Sequence, residues 1–146
     1  MEPQLNTRSI VDKIKLDFKE SKYATGRRKK SIARVWLKKG SGYIYVNGKK
    51  MTNYFNKPNL HIAICRPFAA TKRENEFDVK CTVKGGGLTG QAGAIILGIS
   101  RALVEFEPDL KTILKKEKLT TRDSRAVERK KYGHRKARRS YQFSKR

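Results

Sequence analysis

Acidic residues are scarce in this chain of 146 residues, where 13 Asp and Glu stand against 36 Lys and Arg and the formal net charge is +23. Self-repulsion at this charge density destabilises a compact free protein, so we expect a polyanionic partner. The sequence pI near 10.4 exceeds the value of about 9 that marks nucleic-acid-binding domains. The charge balance therefore indicates binding to nucleic acid.

Cysteines and long apolar runs are also scarce. The two cysteines, Cys65 and Cys81, form no Cys-x-x-Cys pair, which excludes a disulfide framework and favours a reducing compartment. We expect both to be small buried hydrophobic residues. No apolar run approaches the roughly 18 residues that would indicate a membrane span. Acidic residues such as Asp12 and Asp17 argue against a secretory signal or transit peptide in residues 1–22.

The residues that enzymes use for catalysis are few and scattered. His61 and His134 are the only histidines; the first lies in a predicted helix and the second in a basic segment without core residues. The acidic residues show no metal-binding spacing, and no set of catalytic roles can be assembled. We therefore expect no enzymatic activity, no metal and no cofactor.

The charge and apolar patterns divide the chain into three parts. We predict an N-terminal extension over residues 1–22, a globular α/β domain that binds RNA over residues 23–118, and an extended basic tail over residues 119–146. In the extension, Ile14, Leu16 and Phe18 alternate with charged residues, which fits either one short strand or a disordered leader.

Periodicity predicts the secondary structure of the domain. The predicted elements are strands at residues 31–37, 43–47 and 77–83, and helices at residues 59–70, 90–107 and 110–116. A Gly-Ser-Gly break at residues 40–42 predicts that the first two strands form a hairpin. Pro67 predicts that the first helix kinks or ends early.

The most patterned stretch is the glycine-rich segment of residues 85–103. Its spacing matches neither a Walker loop nor a dinucleotide-binding loop. Gly90, Ala94, Gly98 and Ala102 recur every four residues, which predicts a helix face that packs very close to a sheet or a second helix. The amides of residues 85–87, before this helix, are a second candidate for binding an RNA phosphate.

Gly26 precedes four cations at the predicted start of the domain, Arg27, Arg28, Lys29 and Lys30. A glycine there allows close approach of the backbone, and we interpret the group as a phosphate contact. The alternative is a turn glycine beside a solvated edge.

The C-terminal segment concentrates the charge. Residues 110–146 carry 15 basic and three acidic side chains, and residues 132–146 contain no aliphatic residue larger than alanine. Such a segment does not fold alone. Its aromatic residues, Tyr132, Tyr141 and Phe143, are suited to stacking on unpaired bases, so RNA is the polyanion that fits best.

Four blocks resemble the small-subunit ribosomal protein nine family in its bacterial and organellar form. They are Ala24-Thr-Gly-Arg-Arg-Lys with Ala33-Arg-Val, Val46-Asn-Gly48, residues 85–103 including Gln91 and Arg101, and Arg122-Asp-Ser-Arg-x-Val-Glu-Arg-Lys-Lys-Tyr-Gly133 with the segments that follow it. The resemblance covers about residues 23–146. The Leu-Thr-Gly-Gln-Ala-Gly and Phe-Glu-Pro segments are most similar to alphaproteobacterial or mitochondrial members.

The resemblance implies an α/β fold with a mixed sheet of about four strands, in a protein of the small-subunit head that binds ribosomal RNA. It places the protein in a ribosome of the bacterial cytoplasm or of an organelle, beside neighbouring ribosomal proteins. It also implies that the C-terminal Ser144, Lys145 and Arg146 approach the peptidyl-site transfer RNA.

The residues expected to bind ribosomal RNA follow from the charge pattern and the resemblance together. They are Arg27, Arg28, Lys29, Lys30, Arg122, Arg125, Arg129, Lys130, Lys131, Arg135, Lys136, Arg138, Arg139, Tyr141, Gln142 and Phe143. The alternative function is a free-standing basic RNA chaperone or nucleic-acid-binding protein.

Overall fold

A computed structural model describes residues 20–145; the predictions for Ile14, Leu16, Phe18 and Arg146 lie outside this range. The described chain is a mixed sheet with helices packed on one face, which confirms the predicted fold class. The elements are β1 (Lys22–Arg28), β2 (Ser31–Lys39), β3 (Ile44–Val46), β4 (Lys49–Lys50), α1 (Met51–Tyr54), α2 (Pro58–Thr71), β5 (Phe77–Lys84), α3 (Leu88–Phe106) and α4 (Leu110–Lys116).

The sheet has five strands in the order β1-β2-β5-β3-β4, one more than the approximate prediction. Strands β1, β2 and β5 are antiparallel neighbours, whereas β3 runs parallel to β5. The parallel pair is joined by a long connection through α1 and α2, as parallel strands require.

The predicted hairpin between β2 and β3 is wrong, because β5 lies between these strands. The chain leaves β2 through a loop that the Asp78 carboxylate of β5 holds. One carboxylate oxygen accepts hydrogen bonds from the backbone amides of Ser41 and Tyr43, both at 2.9 Å. The Gly-Ser-Gly break therefore crosses the end of β5 instead of reversing the chain onto β2.

The helices α2, α3 and α4 lie on one face of the sheet, and helices and strands contribute equally to the core. The predicted apolar stripe of α2 is confirmed, since Ile64 and Phe68 are buried and Leu60 packs against them. Pro67 does not end this helix, which continues to Thr71. The Thr71 hydroxyl donates to the Pro67 and Phe68 carbonyl oxygens at 3.0 and 3.1 Å, and the buried proline ring packs in the core.

Helix α3 lies directly against β1 and β2 because its facing residues are small. A Cβ atom added to Gly98 would come within 2.5 Å of Val35 Cγ2, and one added to Gly26 within 1.8 Å of the Ala94 carbonyl oxygen. The predicted close packing of the small-residue face is thus confirmed. The interpretation of Gly26 as a phosphate-approach glycine is wrong, since the helix backbone occupies the space beside it.

Strand β1 was not predicted because its buried side chains are so small. Its core-facing positions include Ala24 and Gly26, which are buried between exposed neighbours. An alternation of Ala and Gly with polar residues shows no apolar periodicity, so sequence pattern does not reveal the strand. These small residues nevertheless fit the narrow space between the sheet and α3.

The two cysteines differ in their surroundings. Cys81 is buried in β5, and burial raises the pKa of its thiol to about 12. The prediction that Cys65 is also buried is wrong, because this residue is exposed on α2.

Gly26→Ala should destabilise the free protein by about 3 kcal/mol, because its methyl group would collide with helix backbone that cannot rotate away. Denaturant unfolding of the free protein measures this change. Gly87→Ala is the matched control, since no described atom lies within 4 Å of its added Cβ. Equal stability losses in the two variants would contradict the close packing of α3 on β1.

Candidate nucleic-acid interface

Four of the predicted cations lie at the turn between β1 and β2. Arg28 pairs with Ser31 across the hairpin, so Lys29 and Lys30 form its two-residue tip, with Lys29 at a φ of 51°. Arg27, Lys29 and Lys30 are exposed, whereas Arg28 is half-buried. The tight antiparallel hairpin thus presents three cations to solvent and directs the fourth towards α3.

Arg28 connects the hairpin tip to the start of the C-terminal tail. Its aliphatic stem crosses α3 at Gly93, where an added Cβ would come within 2.2 Å of Arg28 Cδ. Its Nη2 atom donates to Asp123 Oδ2 at 3.0 Å. Its Nε atom is buried and has no hydrogen-bond partner among the described residues. A buried donor without an acceptor is costly, so a partner from outside the described residues would stabilise this arrangement.

A groove of about 480 Å³ opens beside this contact. Arginines and lysines from four parts of the chain line it, together with two carboxylates. The charged lining residues are Arg27, Arg28, Arg66, Lys118 and Arg125, with Glu117 and Asp123. Arg66 Nη2 donates to Glu117 at 2.8 Å, which leaves an excess of cations around Asp123. The groove can therefore attract a phosphate group.

Asp123 is the centre of a charged cluster at the start of the tail. Hydrogen bonds from the Arg125 side chain hold the pKa of the Asp123 carboxyl well below its usual range; a bond from the Arg125 amide and the charge of Arg28 add to the effect. Because the pKa of this carboxyl is lowered in the folded state, Asp123 is charged at neutral pH. The stability that its ion pairs contribute is lost only when the pH falls through the lowered pKa. The Arg28 contact thus persists at any physiological pH.

The remainder of the described tail contains no helix or strand. Glu128 accepts hydrogen bonds from Lys131 Nζ at 2.7 Å and from Arg138 Nε at 2.9 Å, and these bonds lower the pKa of its carboxyl. The Arg135 amide donates to the Arg139 carbonyl oxygen at 2.8 Å. The tail therefore includes a local turn, which shortens its reach below that of a fully extended chain.

The predicted binding residues of the tail lie along its surface. Arg122, Arg125, Arg129, Lys130, Lys136 and Arg139 are exposed, as are Arg135, Arg138, Tyr141, Gln142, Phe143, Ser144 and Lys145, while Lys131 is half-buried. The guanidinium of Arg135 lies 5.3 Å from the Tyr141 ring centroid. The structure thus brings Arg28 and Arg125 together at Asp123, and leaves the tail cations distributed along the chain.

A hydrogen-bond network holds the glycine turn before α3. The Gly85 carbonyl oxygen accepts from Ser31 Oγ at 3.0 Å and from Gln91 Nε2 at 3.2 Å. Tyr54 donates to Gln91 Oε1 at 2.9 Å. Helix α3 begins after Gly87 without a side-chain cap, and the turn before it lies next to the hairpin tip, since a Cβ added to Gly85 would come within 2.5 Å of the Lys30 carbonyl oxygen.

Sequence reasoning missed several residues that position the interface. Asp123 is an isolated acid in a basic run, and Arg66 and Lys118 reach the groove only through folding. The sequence identifies Asn47 only as part of a family block and predicts no role for it. Its side chain accepts a hydrogen bond from the Val83 amide at 2.9 Å and donates one to the Val83 carbonyl oxygen at 3.1 Å. Arg101 likewise donates to the Thr25 carbonyl oxygen at 3.0 Å. No local signal separates such structural polar residues from RNA-binding ones.

The two histidines show no catalytic arrangement. His61 Nε2 donates to the Phe55 carbonyl oxygen at 2.6 Å, and His134 lies in the tail near Ser140. Among residues 20–145 there is no group of His, Cys, Asp and Glu that could hold a metal ion. The same range contains no helix long and apolar enough to cross a membrane.

The family model for ribosomal protein S9/S16 matches residues 26–146, which include the hairpin tip, the glycine turn and the whole tail. The chain belongs to this family. As an S9/S16 protein it is a structural component of the small ribosomal subunit, where it binds ribosomal RNA and lies beside other ribosomal proteins. The family is structural and not enzymatic. The predicted family and the predicted location in the small ribosomal subunit are confirmed.

Asp123→Ala should release the start of the S9/S16 tail from the hairpin and increase the rate of tryptic cleavage at Arg122 and Arg125 several-fold, because the Arg28 contact is lost. Glu128→Ala is the matched control, since its partners lie within the tail. Cleavage is followed by mass spectrometry of the intact protein. Identical rates in wild type and Asp123→Ala would show that this contact does not hold the tail.

Proposed function

We propose that the hairpin tip, the groove and the start of the tail form one continuous binding surface for ribosomal RNA. The observation that carries this proposal is Arg28, which lines the cationic groove and whose buried Nε atom has no hydrogen-bond partner among residues 20–145. A phosphate oxygen in the groove would satisfy that donor and would neutralise the excess charge around Asp123. Arginine is suited to this role because its planar fork of donors matches phosphate geometry.

Three elements contribute to this surface. The tip supplies Arg27, Lys29 and Lys30, the start of α3 supplies backbone amides that no side chain caps, and the tail supplies Arg122 and Arg125. Such contacts go mostly to phosphates and sugars, so they position the protein on folded RNA without reading much sequence. Further along the tail, exposed rings and cations extend the same mode of binding to unpaired bases.

We further propose that the end of the tail contacts the transfer RNA in the peptidyl site. Support comes from the exposure of Ser144 and Lys145, from the absence of core residues in the segment, and from the family's terminal Ser-Lys-Arg, which matches residues 144–146. A contact made through charges and backbone atoms tolerates any transfer RNA sequence. The ribosome is that of a bacterium or of an organelle.

The ribosomal assignment of the surface is tested by sedimentation. Wild-type protein should remain with small subunits in high-salt sucrose gradients, because groove and tail contacts act together. The double variant Arg28→Ala/Arg125→Ala should dissociate at lower salt, whereas Lys111→Ala/Lys115→Ala, which removes the same charge from exposed positions of α4, should behave as wild type. Fractionation of the protein with free RNA or DNA would favour the chaperone alternative.

Deletion of residues 144–146 should leave subunit assembly intact and weaken binding of transfer RNA to the peptidyl site. The loss of two cations should also reduce the salt dependence of that binding, by a slope of about 0.7 to 0.9 per phosphate contact. Filter binding to reconstituted small subunits measures both quantities. Unchanged affinity across the salt titration would refute the contact with transfer RNA.

A further inference from the structure

Among residues 20–145, no helix packs on the face of the sheet that points away from α3, and this open face carries an ordered row of rings and cations. Direct pairing across the strands places Tyr23 opposite Trp36, Trp36 opposite Lys80, Lys80 opposite Tyr45, and Tyr45 opposite Lys50. Residues paired in this way share one face of a sheet. The row crosses all five strands, a width of about 19 Å at the usual strand spacing.

The same face has a strongly positive charge. By register, five cations and one carboxylate of the paired strand residues outside the groove point to this side. The cations are Arg34, Lys38, Lys50, Lys80 and Lys84, and the carboxylate is Asp78. Asp78 already accepts two backbone amides at the end of β5. The face is therefore complementary to a polyanion.

The cations at the centre of the row are held in place by the rings. The Arg34 guanidinium lies 5.8 Å from the Tyr23 ring centroid and 5.4 Å from that of Trp36. Arg34 Nε also donates to the Tyr23 hydroxyl at 3.2 Å. Lys80 Nζ lies 5.9 Å from the Trp36 ring. These cation–π contacts order the charged groups before any ligand binds, which lowers the entropic cost of binding.

We propose that this open face, defined by Tyr23, Arg34, Trp36, Tyr45 and Lys80, is a second RNA-binding surface that takes an unpaired strand. Phosphates contact Arg34 and Lys80, and bases stack on Tyr23, the exposed ring of the row, and on the Arg34 guanidinium plane. Rings on an open sheet face bind single-stranded RNA in this way in several unrelated folds. The choice of RNA as the occupant rests on the ribosomal function proposed above.

An acidic protein surface is the competing occupant, and the row argues against it. An acidic partner would require the cations alone, whereas here rings lie between them, with Tyr23 40% exposed and Trp36 and Tyr45 half-buried. Flat surfaces alternating with positive charges match the alternation of bases and phosphates along an unpaired strand.

The single tryptophan of the chain, Trp36, makes this face directly observable. The full-length protein is titrated with a fluorescein-labelled oligouridylate; anisotropy reports total binding and Trp36 emission reports occupancy of the face. RNA is expected to quench Trp36 at the same midpoint as the anisotropy change. Inorganic polyphosphate, which has the charges without the bases, should bind with little quenching.

The variant Arg34→Ala/Lys80→Ala should lower affinity for oligouridylate about tenfold and reduce the salt slope by about 1.4, the value for two phosphate contacts on a single strand. Lys111→Ala/Lys115→Ala removes the same charge from α4 and should change neither quantity appreciably. Circular dichroism establishes that both variants are folded.

The outcomes separate this proposal from the ribosomal function. RNA binding with unchanged Trp36 emission would overturn the open-face site and leave the groove and tail as the RNA-binding surface. Quenching by polyglutamate equal to that by RNA would also overturn it, in favour of an acidic protein partner. Absence of any RNA binding by anisotropy would overturn both proposals.

Discussion

The direct contact between α3 and the β1–β2 hairpin determines the geometry of the whole molecule. Gly26 and Gly98 remove the side chains that would otherwise separate helix and sheet. Because the axis of α3 lies so close, its first turn emerges beside the hairpin tip, and Gly93 leaves a channel for the Arg28 side chain. Each glycine in a helix lowers the stability of that helix by roughly 1 kcal/mol relative to alanine. The tight packing of α3 on the sheet must offset this loss.

The interface follows from this packing. Arg28 crosses α3 at Gly93 to reach Asp123, and this hydrogen bond connects the start of the tail to the domain. The groove between these residues collects cations that are far apart in the chain, including Arg66 and Lys118. A folded domain with a cationic groove thus contacts the start of a tail that has no core of its own, and both carry an excess of positive charge.

The sequence predicted those features that depend on local pattern. The helix containing Gly98, the strand containing Val79 and the basic tail all follow from periodicity or composition. Strand β1 was missed because Ala24 and Gly26 carry no apolar signal, and the hairpin between β2 and β3 was wrongly predicted because local turn chemistry does not reveal that β5 lies between them. The role of Asp123 and the accessibility of the open face depend on long-range packing, which single-sequence pattern does not contain.

The central claim is that the hairpin tip and the start of the tail form one RNA-binding surface. Tethered hydroxyl-radical cleavage tests this claim directly. Iron chelates are attached to Lys29→Cys or to Thr121→Cys, in a chain whose exposed Cys65 is replaced by serine and whose Cys81 is buried, and the proteins are assembled into small subunits. Both probes are predicted to cleave one overlapping stretch of ribosomal RNA. Cleavage of separate, non-overlapping RNA segments would contradict a continuous surface.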